Sequence, residues 1–171
     1  MQTTELIHLL NQSRKMEAII FTGIQASGKS TFYRDRFCDS HIRINLDMLK
    51  TRHREKILLH ACLEAKQPFV VDNTNPTRED RQRYIVPAKQ YGFRIVSYYF
   101  QANLEDCKQR NLSRTAKLMR SAPQKIVPLV GLISTAKRLV KPLPCEGFDA
   151  IYSVAIATEN TFSVEELSHE V

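Results

Sequence analysis

The chain is expected to fold as an α/β domain, and three observations predict this. Five segments rich in β-branched and aromatic residues, EAIIFTGI, HIRINL, PFVVDNT, FRIVSYYF and FDAIYSVAIA, alternate with segments of helical pattern. Strands joined by helical crossovers favour a parallel sheet covered on both faces, with ligands held at the carboxyl ends of the strands. Between the first strand and the first helix stands Gly23-Ile24-Gln25-Ala26-Ser27-Gly28-Lys29-Ser30-Thr31, a match to G-x-x-x-x-G-K-[ST] in the strand-to-helix context that the pattern requires.

The first helix is expected from Gly28 to about Phe37, and a second from Lys50 to Lys66. A third spans Thr77 to Tyr91, started by Asn75, Pro76 and Thr77 and stopped by Gly92. A fourth begins near Asn103 and enters a basic stretch where Pro123, Pro128, Pro142 and Pro144 divide the chain into short helices, the pattern of an inserted lid. A length of 171 residues suits one domain over 1–171, with residues 1–15 as an N-terminal extension and about 108–141 as the lid.

Composition narrows the function classes. With 43% hydrophobic and 25% charged residues the chain is neither disordered nor a membrane protein. The opening MQTTELIHLLNQSRK lacks a signal-peptide pattern, and no run approaches the ~20 apolar residues of a membrane span, so a soluble, cytoplasmic protein without a membrane partner is expected. Cys38, Cys62, Cys107 and Cys145 form no C-x-x-C pair, and the five histidines show no ligand spacing, which argues against disulfides, zinc clusters and histidine-held metals.

Charge is unevenly distributed. From Lys108 to Lys141 nine Lys or Arg residues occur without one Asp or Glu, so this stretch carries +9 against +7 for the whole chain and the remainder sums to −2. A one-sign block of this length points to a polyanionic ligand, nucleotide phosphates or nucleic acid; the alternative is a solvated basic surface.

The glycine-rich motif supplies the donor half of a site. Gly23 and Gly28 permit backbone angles that turn consecutive N–H groups of residues 23–31 inward around phosphates, at the positive end of the following helix. Lys29 would bridge the β- and γ-phosphates of ATP, and Ser30 would place its hydroxyl on Mg²⁺. Beyond the second strand, Asp47 can accept the proton of an attacking hydroxyl or cap the helix that follows. The third strand runs into Asp72-Asn73-Thr74-Asn75-Pro76, where Asp72 either assists Mg²⁺, Lys29 and Ser30 or serves turn chemistry. Arg110 and Arg114, at i and i+4 on one helix face, would clamp ATP phosphates and neutralise the moving γ-phosphoryl group, unless they are merely solvated.

These residues together resemble the 5′-hydroxyl polynucleotide kinases, both the phage end-healing type and the kinase domain of its animal counterpart. The likeness is carried by GIQASGKSTF, INLD, VDNTNPTREDRQRYIVPAKQYG, CKQRNLSR and EGFDAIYSV, with DNTNP followed by Arg81, Arg83 and Tyr84 the least generic part. It implies a three-layer P-loop kinase fold with a five-stranded parallel sheet of order 2-3-1-4-5 and a helical lid. It also implies Asp47 as general base, Lys29 and Ser30 as phosphate and Mg²⁺ ligands, Arg114 as an ATP contact, and a role for Asp72. On the acceptor side Lys50, Asp72, Asn73 and Thr74 are expected to meet substrate. Gln25 and Ala26 replace the Pro-Gly frequent in such loops, Leu46 replaces an Arg before the base, and Lys50 stands where the phage type has Arg, whose bidentate fork Lys does not offer. The expected activity is transfer of the ATP γ-phosphate to a 5′-hydroxyl of DNA or RNA bound through the basic lid. Alternatives are a kinase for a small metabolite or nucleotide and an NTPase switch without an acceptor.

Overall fold

The computed structural model describes residues 16–119, 127–157 and 161–167. The N-terminal extension, and Arg120, Pro123 and Lys125 of the lid, lie outside the described residues.

β1 (Glu17–Thr22) is the central strand, and its alternation sorts side chains onto two faces. Ala18 and Ile20 pack into a cluster with Leu59, Leu63, Tyr84, Ile85 and Ala88, whereas Ile19 and Phe21 pack into a second cluster with Phe32, Phe100 and Val154. These two cores separate three layers. On one face lie α3 (Arg52–Glu64) and α4 (Arg78–Gln90), and on the other α1 (Lys29–Arg36). β2 (Ile42–Ile44), β3 (Phe69–Val71), β4 (Arg94–Phe100) and β5 (Ala150–Ile156) join β1 in parallel in the expected order β2, β3, β1, β4, β5. Burial on both faces explains their apolar sequences.

Two expectations need correction. The sheet has six strands, because β6 (Phe162–Glu166) pairs antiparallel with β5 and forms the edge. It escaped sequence reading because FSVEE is exposed except for a half-buried Phe162, and its charges suit an unpaired edge. The helix expected over Lys50 to Lys66 begins at Arg52 and ends at Glu64 (α3), and a separate short helix, α2 (Leu46–Leu49), precedes it, with Lys50 between the two in the left-handed region at φ 71°. Asn45 caps α2 and Thr51 caps α3, so capping is not the role of Asp47.

After β4, α5 (Leu104–Leu118) carries the first part of the basic stretch and α6 (Leu129–Arg138) the later part, followed by a 3₁₀ turn at Pro144–Glu146. No helix among the described residues is long and apolar enough to cross a membrane.

Candidate active site

The glycine-rich loop joins the carboxyl end of β1 to α1. Gly28 precedes the helix at φ 96°, and a Cβ there would lie 2.9 Å from Cε1 of Phe162, so both backbone and space require glycine. At Gly23 a Cβ would come within 2.8 Å of Cβ of Phe100. Ala26 also adopts a positive φ, 60°, where an L side chain costs about 1–2 kcal/mol. Lys29 folds back over the loop: Nζ donates to the carbonyls of Gly23 at 2.9 Å and Ile24 at 2.5 Å and to Oγ of Ser27 at 3.3 Å. Burial pulls its ammonium down to about 8, with Asp72 foremost among the charges that oppose the shift and Asp47 also contributing.

Ser30 is exposed, yet its Oγ donates to Oδ2 of Asp72 at 3.0 Å. Asp72 is buried one residue beyond β3. The two expected metal ligands are therefore neighbours, a hydroxyl and a carboxylate, the hard oxygen donors that suit Mg²⁺. Arg43, absent from the sequence reading, joins them. From β2 its Nε donates to Oδ2 of Asp72 at 2.9 Å, one terminal nitrogen pairs with the same oxygen, and that nitrogen donates to Oγ of Ser30 at 2.9 Å. The guanidinium lies 5.3 Å from the centre of the Tyr33 ring. A single cation inside HIRINL, beside a strand that ends in Asp, was the signal available in the sequence.

Asp47 is exposed in the first turn of α2, at the carboxyl end of the sheet, and Lys50 is exposed at the end of that helix. Nδ2 of Asn45 donates to the Asp72 carbonyl at 2.5 Å, and the Leu46 N–H donates to Oδ1 of Asn73 at 2.8 Å. Thus β3 and its turn hold the helix that carries Asp47. The same turn supports the loop, since the Thr74 carbonyl accepts from the Gly23 N–H at 3.0 Å and Nδ2 of Asn75 donates to the Phe21 carbonyl at 2.8 Å.

Arg81 and Tyr84, which made this region distinctive, are internal struts. Arg81 is fully buried, forms a bidentate pair with Glu146 at 2.8 and 2.7 Å, and donates to the carbonyls of Asn75, Pro76 and Val140. Tyr84 donates to Oε1 of buried Glu55 at 2.8 Å.

α5 and α6, the helices of the expected lid, rest on the loop. Ile24 is buried with Cys107 of α5 and Leu132 of α6, and Nε2 of Gln25 donates to Oγ1 of Thr135 at 3.1 Å. Arg110 donates to the Ala26 carbonyl at 2.9 Å, while Arg114 is exposed one turn further along α5. Lys108 is paired with Glu105, just upstream of the acid-free stretch, at 2.9 Å. The structure therefore brings Lys29, Ser30, Asp72 and Arg110 into direct contact with the loop or its neighbours, and leaves Asp47, Lys50 and Arg114 exposed around it.

The family model described as AAA domain matches residues 19–126. Over 144 residues the chain is 28% identical to the bifunctional polynucleotide phosphatase/kinase of Schizosaccharomyces pombe, covering 84% of this chain and 34% of that protein. Over 154 residues it is 26% identical to a protein of Acanthamoeba polyphaga mimivirus that carries the same name provisionally, covering 90% and 36%. The chain spans about a third of the length of these curated relatives. Its fold is similar to that of a structure from the PezAT chromosomal toxin–antitoxin system of Streptococcus pneumoniae, with TM-score 0.66 and 14% identity over 99% of this chain and 85% of that one. A gluconokinase from Sinorhizobium meliloti 1021 follows, with TM-score 0.53 and 19% identity over 85% of each chain. At these identities the likeness is one of fold, a P-loop kinase-like α/β domain.

Proposed function

The chain belongs to the AAA-domain family, and on that premise we propose that it is an ATP-dependent kinase that transfers the γ-phosphoryl group to a 5′-hydroxyl of DNA or RNA. The observation that carries this reading is the placement of Asp47 on α2, exposed and near enough to Lys29 to act on its charge. A carboxylate beside the donor loop and open to solvent is accessible to an incoming hydroxyl, which supports its role as the base. The names of the two curated relatives support a polynucleotide as the acceptor.

In this reading Asp47 takes the proton of the attacking hydroxyl as the new O–P bond forms. The bond from the γ-phosphorus to the bridging oxygen breaks, and ADP leaves with the electron pair. Lys29, Arg110 and Arg114 neutralise the charge that develops on the phosphoryl oxygens. Ser30 and Asp72 would hold Mg²⁺, which when bound supplies charge neutralisation at the β- and γ-phosphates. Lys50 and Thr74 flank the acceptor, and the lid's cations track its phosphates.

The test supplies γ-labelled ATP and Mg²⁺ with 5′-hydroxyl DNA and RNA oligonucleotides and, separately, with small alcohols. Label is expected on an oligonucleotide and lost in Asp47→Ala, with ATP binding retained. Label confined to a small alcohol overturns the polynucleotide reading, and hydrolysis without transfer to any acceptor overturns the kinase.

A further inference from the structure

We propose that Glu55 and Asn73 form a relay that positions the general base, a role that rests on the reading of Asp47 given above. A four-residue helix does not hold itself, because its few internal hydrogen bonds cannot offset the cost of starting it. α2 is held from outside. Its Asn45 is tied to the Asp72 carbonyl, and the N–H of Leu46, immediately before Asp47, is tied to Oδ1 of Asn73 at 2.8 Å.

The second of these bonds depends on which way the Asn73 carboxamide faces. Turned over, it would set an NH₂ group against the Leu46 N–H, two donors in opposition. Glu55 forbids that state. Its Oε1 accepts from Nδ2 of Asn73 at 2.7 Å and from the hydroxyl of Tyr84 at 2.8 Å, and its Oε2 accepts from Arg52 at 2.7 Å. Glu55 is only 4% exposed and Tyr84 1%, so water competes little for these hydrogen bonds. An ionised carboxylate accepts hydrogen bonds and donates none; the NH₂ of Asn73 must therefore face Glu55, and its oxygen must face Leu46. Asn73 thus acts as a positioning residue, with both ends of its amide engaged inside the protein.

Exchange of the two functional groups tests the relay. Glu55→Gln leaves a single acceptor oxygen to serve Asn73, Tyr84 and Arg52 and sets its NH₂ against one or more of these donors, and Asn73→Asp sets two carboxylates face to face. The double variant restores one donor opposite one acceptor with the same net charge, and the carboxylate introduced by Asn73→Asp can still accept from Leu46 and Tyr84. Two measurements are made on protein shown to be folded by circular dichroism. With a 5′-hydroxyl oligonucleotide, kcat is expected to fall at least tenfold in each single variant, with KM for ATP within twofold, and to recover to within threefold of wild type in the double. By NMR, amide exchange at Leu46 is expected to be slow in wild type and double variant and fast in the singles.

Fast exchange at Leu46 in the wild type overturns the relay whatever the acceptor proves to be. So do single variants with unchanged kcat, or a double variant no better than the worse single. Asp47→Ala run in parallel separates the two ideas: full activity there removes Asp47 as base, whereas its loss beside unaffected relay variants removes the relay alone.

Discussion

Arg43 on β2 and Asp72 beyond β3 close a charge pair across neighbouring strands, with Ser30 within 2.9 Å of the guanidinium and 3.0 Å of the carboxylate. The Arg43 side chain is 30% exposed and that of Asp72 1%. Removal of the cation leaves a buried carboxylate supported by a single hydroxyl. Arg43→Gln is expected to lower unfolding stability by about 1–3 kcal/mol, less than for a fully buried pair because water reaches the vacated side. Millimolar Mg²⁺ should recover part of that loss in the variant while changing the wild type little. Urea unfolding with and without the metal checks both statements.

Arg81 and Glu146 are a different case, since both side chains are withdrawn from water. Arg81→Met is expected to cost about 3–5 kcal/mol, the penalty of an unpaired buried charge. Arg81→Met with Glu146→Gln should cost less than the two single changes summed. A double-mutant cycle by chemical denaturation measures the difference.

Alkaline pH probes Tyr84, whose phenol is pushed up to about 12, first by burial and then by Glu55 beside it. The fold favours the neutral phenol, so its stabilisation is complete below the unfolded value near 10 and is lost as pH rises through 12. Tyr84→Phe has no such proton to lose. The stability gap between wild type and Tyr84→Phe should therefore narrow by about 1 kcal/mol between pH 9 and 11, read from urea midpoints at each pH.

Attachment of α5 and α6 to the glycine loop can be read from thiols. Cys62 is buried within the extensive core under α3 and α4, whereas Cys107 belongs to a small cluster with Ile24 and Leu132. Burial pushes both thiols up, that of Cys62 to about 11. Local opening is cheaper where fewer apolar contacts are lost. Under native conditions Cys107 is expected to label more slowly than the exposed Cys38 and Cys145 but faster than Cys62. Gln25→Ala, which removes the bond to Thr135, should accelerate Cys107 by several-fold and leave Cys62 unchanged. Mass spectrometry of timed alkylation resolves the four sites.

What could be read from the residues alone follows burial. Strands β1, β3, β4 and β5 are buried on both faces and carry continuous apolar runs, so their presence and parallel arrangement were legible. The short edge strand β6 offers little apolar pattern, and only its pairing with β5 defines it. The glycine loop was legible because its spacing is local. Arg43, Glu55 and Thr135 were not, because each meets its partner through the fold: Arg43 reaches Asp72 29 positions later, and Gln25 reaches Thr135 110 positions later. Among the residues that looked distinctive in DNTNP and the following helix, Arg81 and Tyr84 act as supports for the turn and for Glu55. Asn73, expected to meet substrate, has its amide engaged by Leu46 and Glu55.

The close approach of Phe162 to Gly28 has a consequence for the order in which the molecule becomes competent. During synthesis the glycine loop emerges before the walls against which it sets: Thr135 from α6 and then Phe162 from β6. Both lie after residue 126, where the match to the family model stops. The glycine loop is thus made well before its surroundings are complete, and a nascent chain carries the motif before it has the contacts that give that motif its shape.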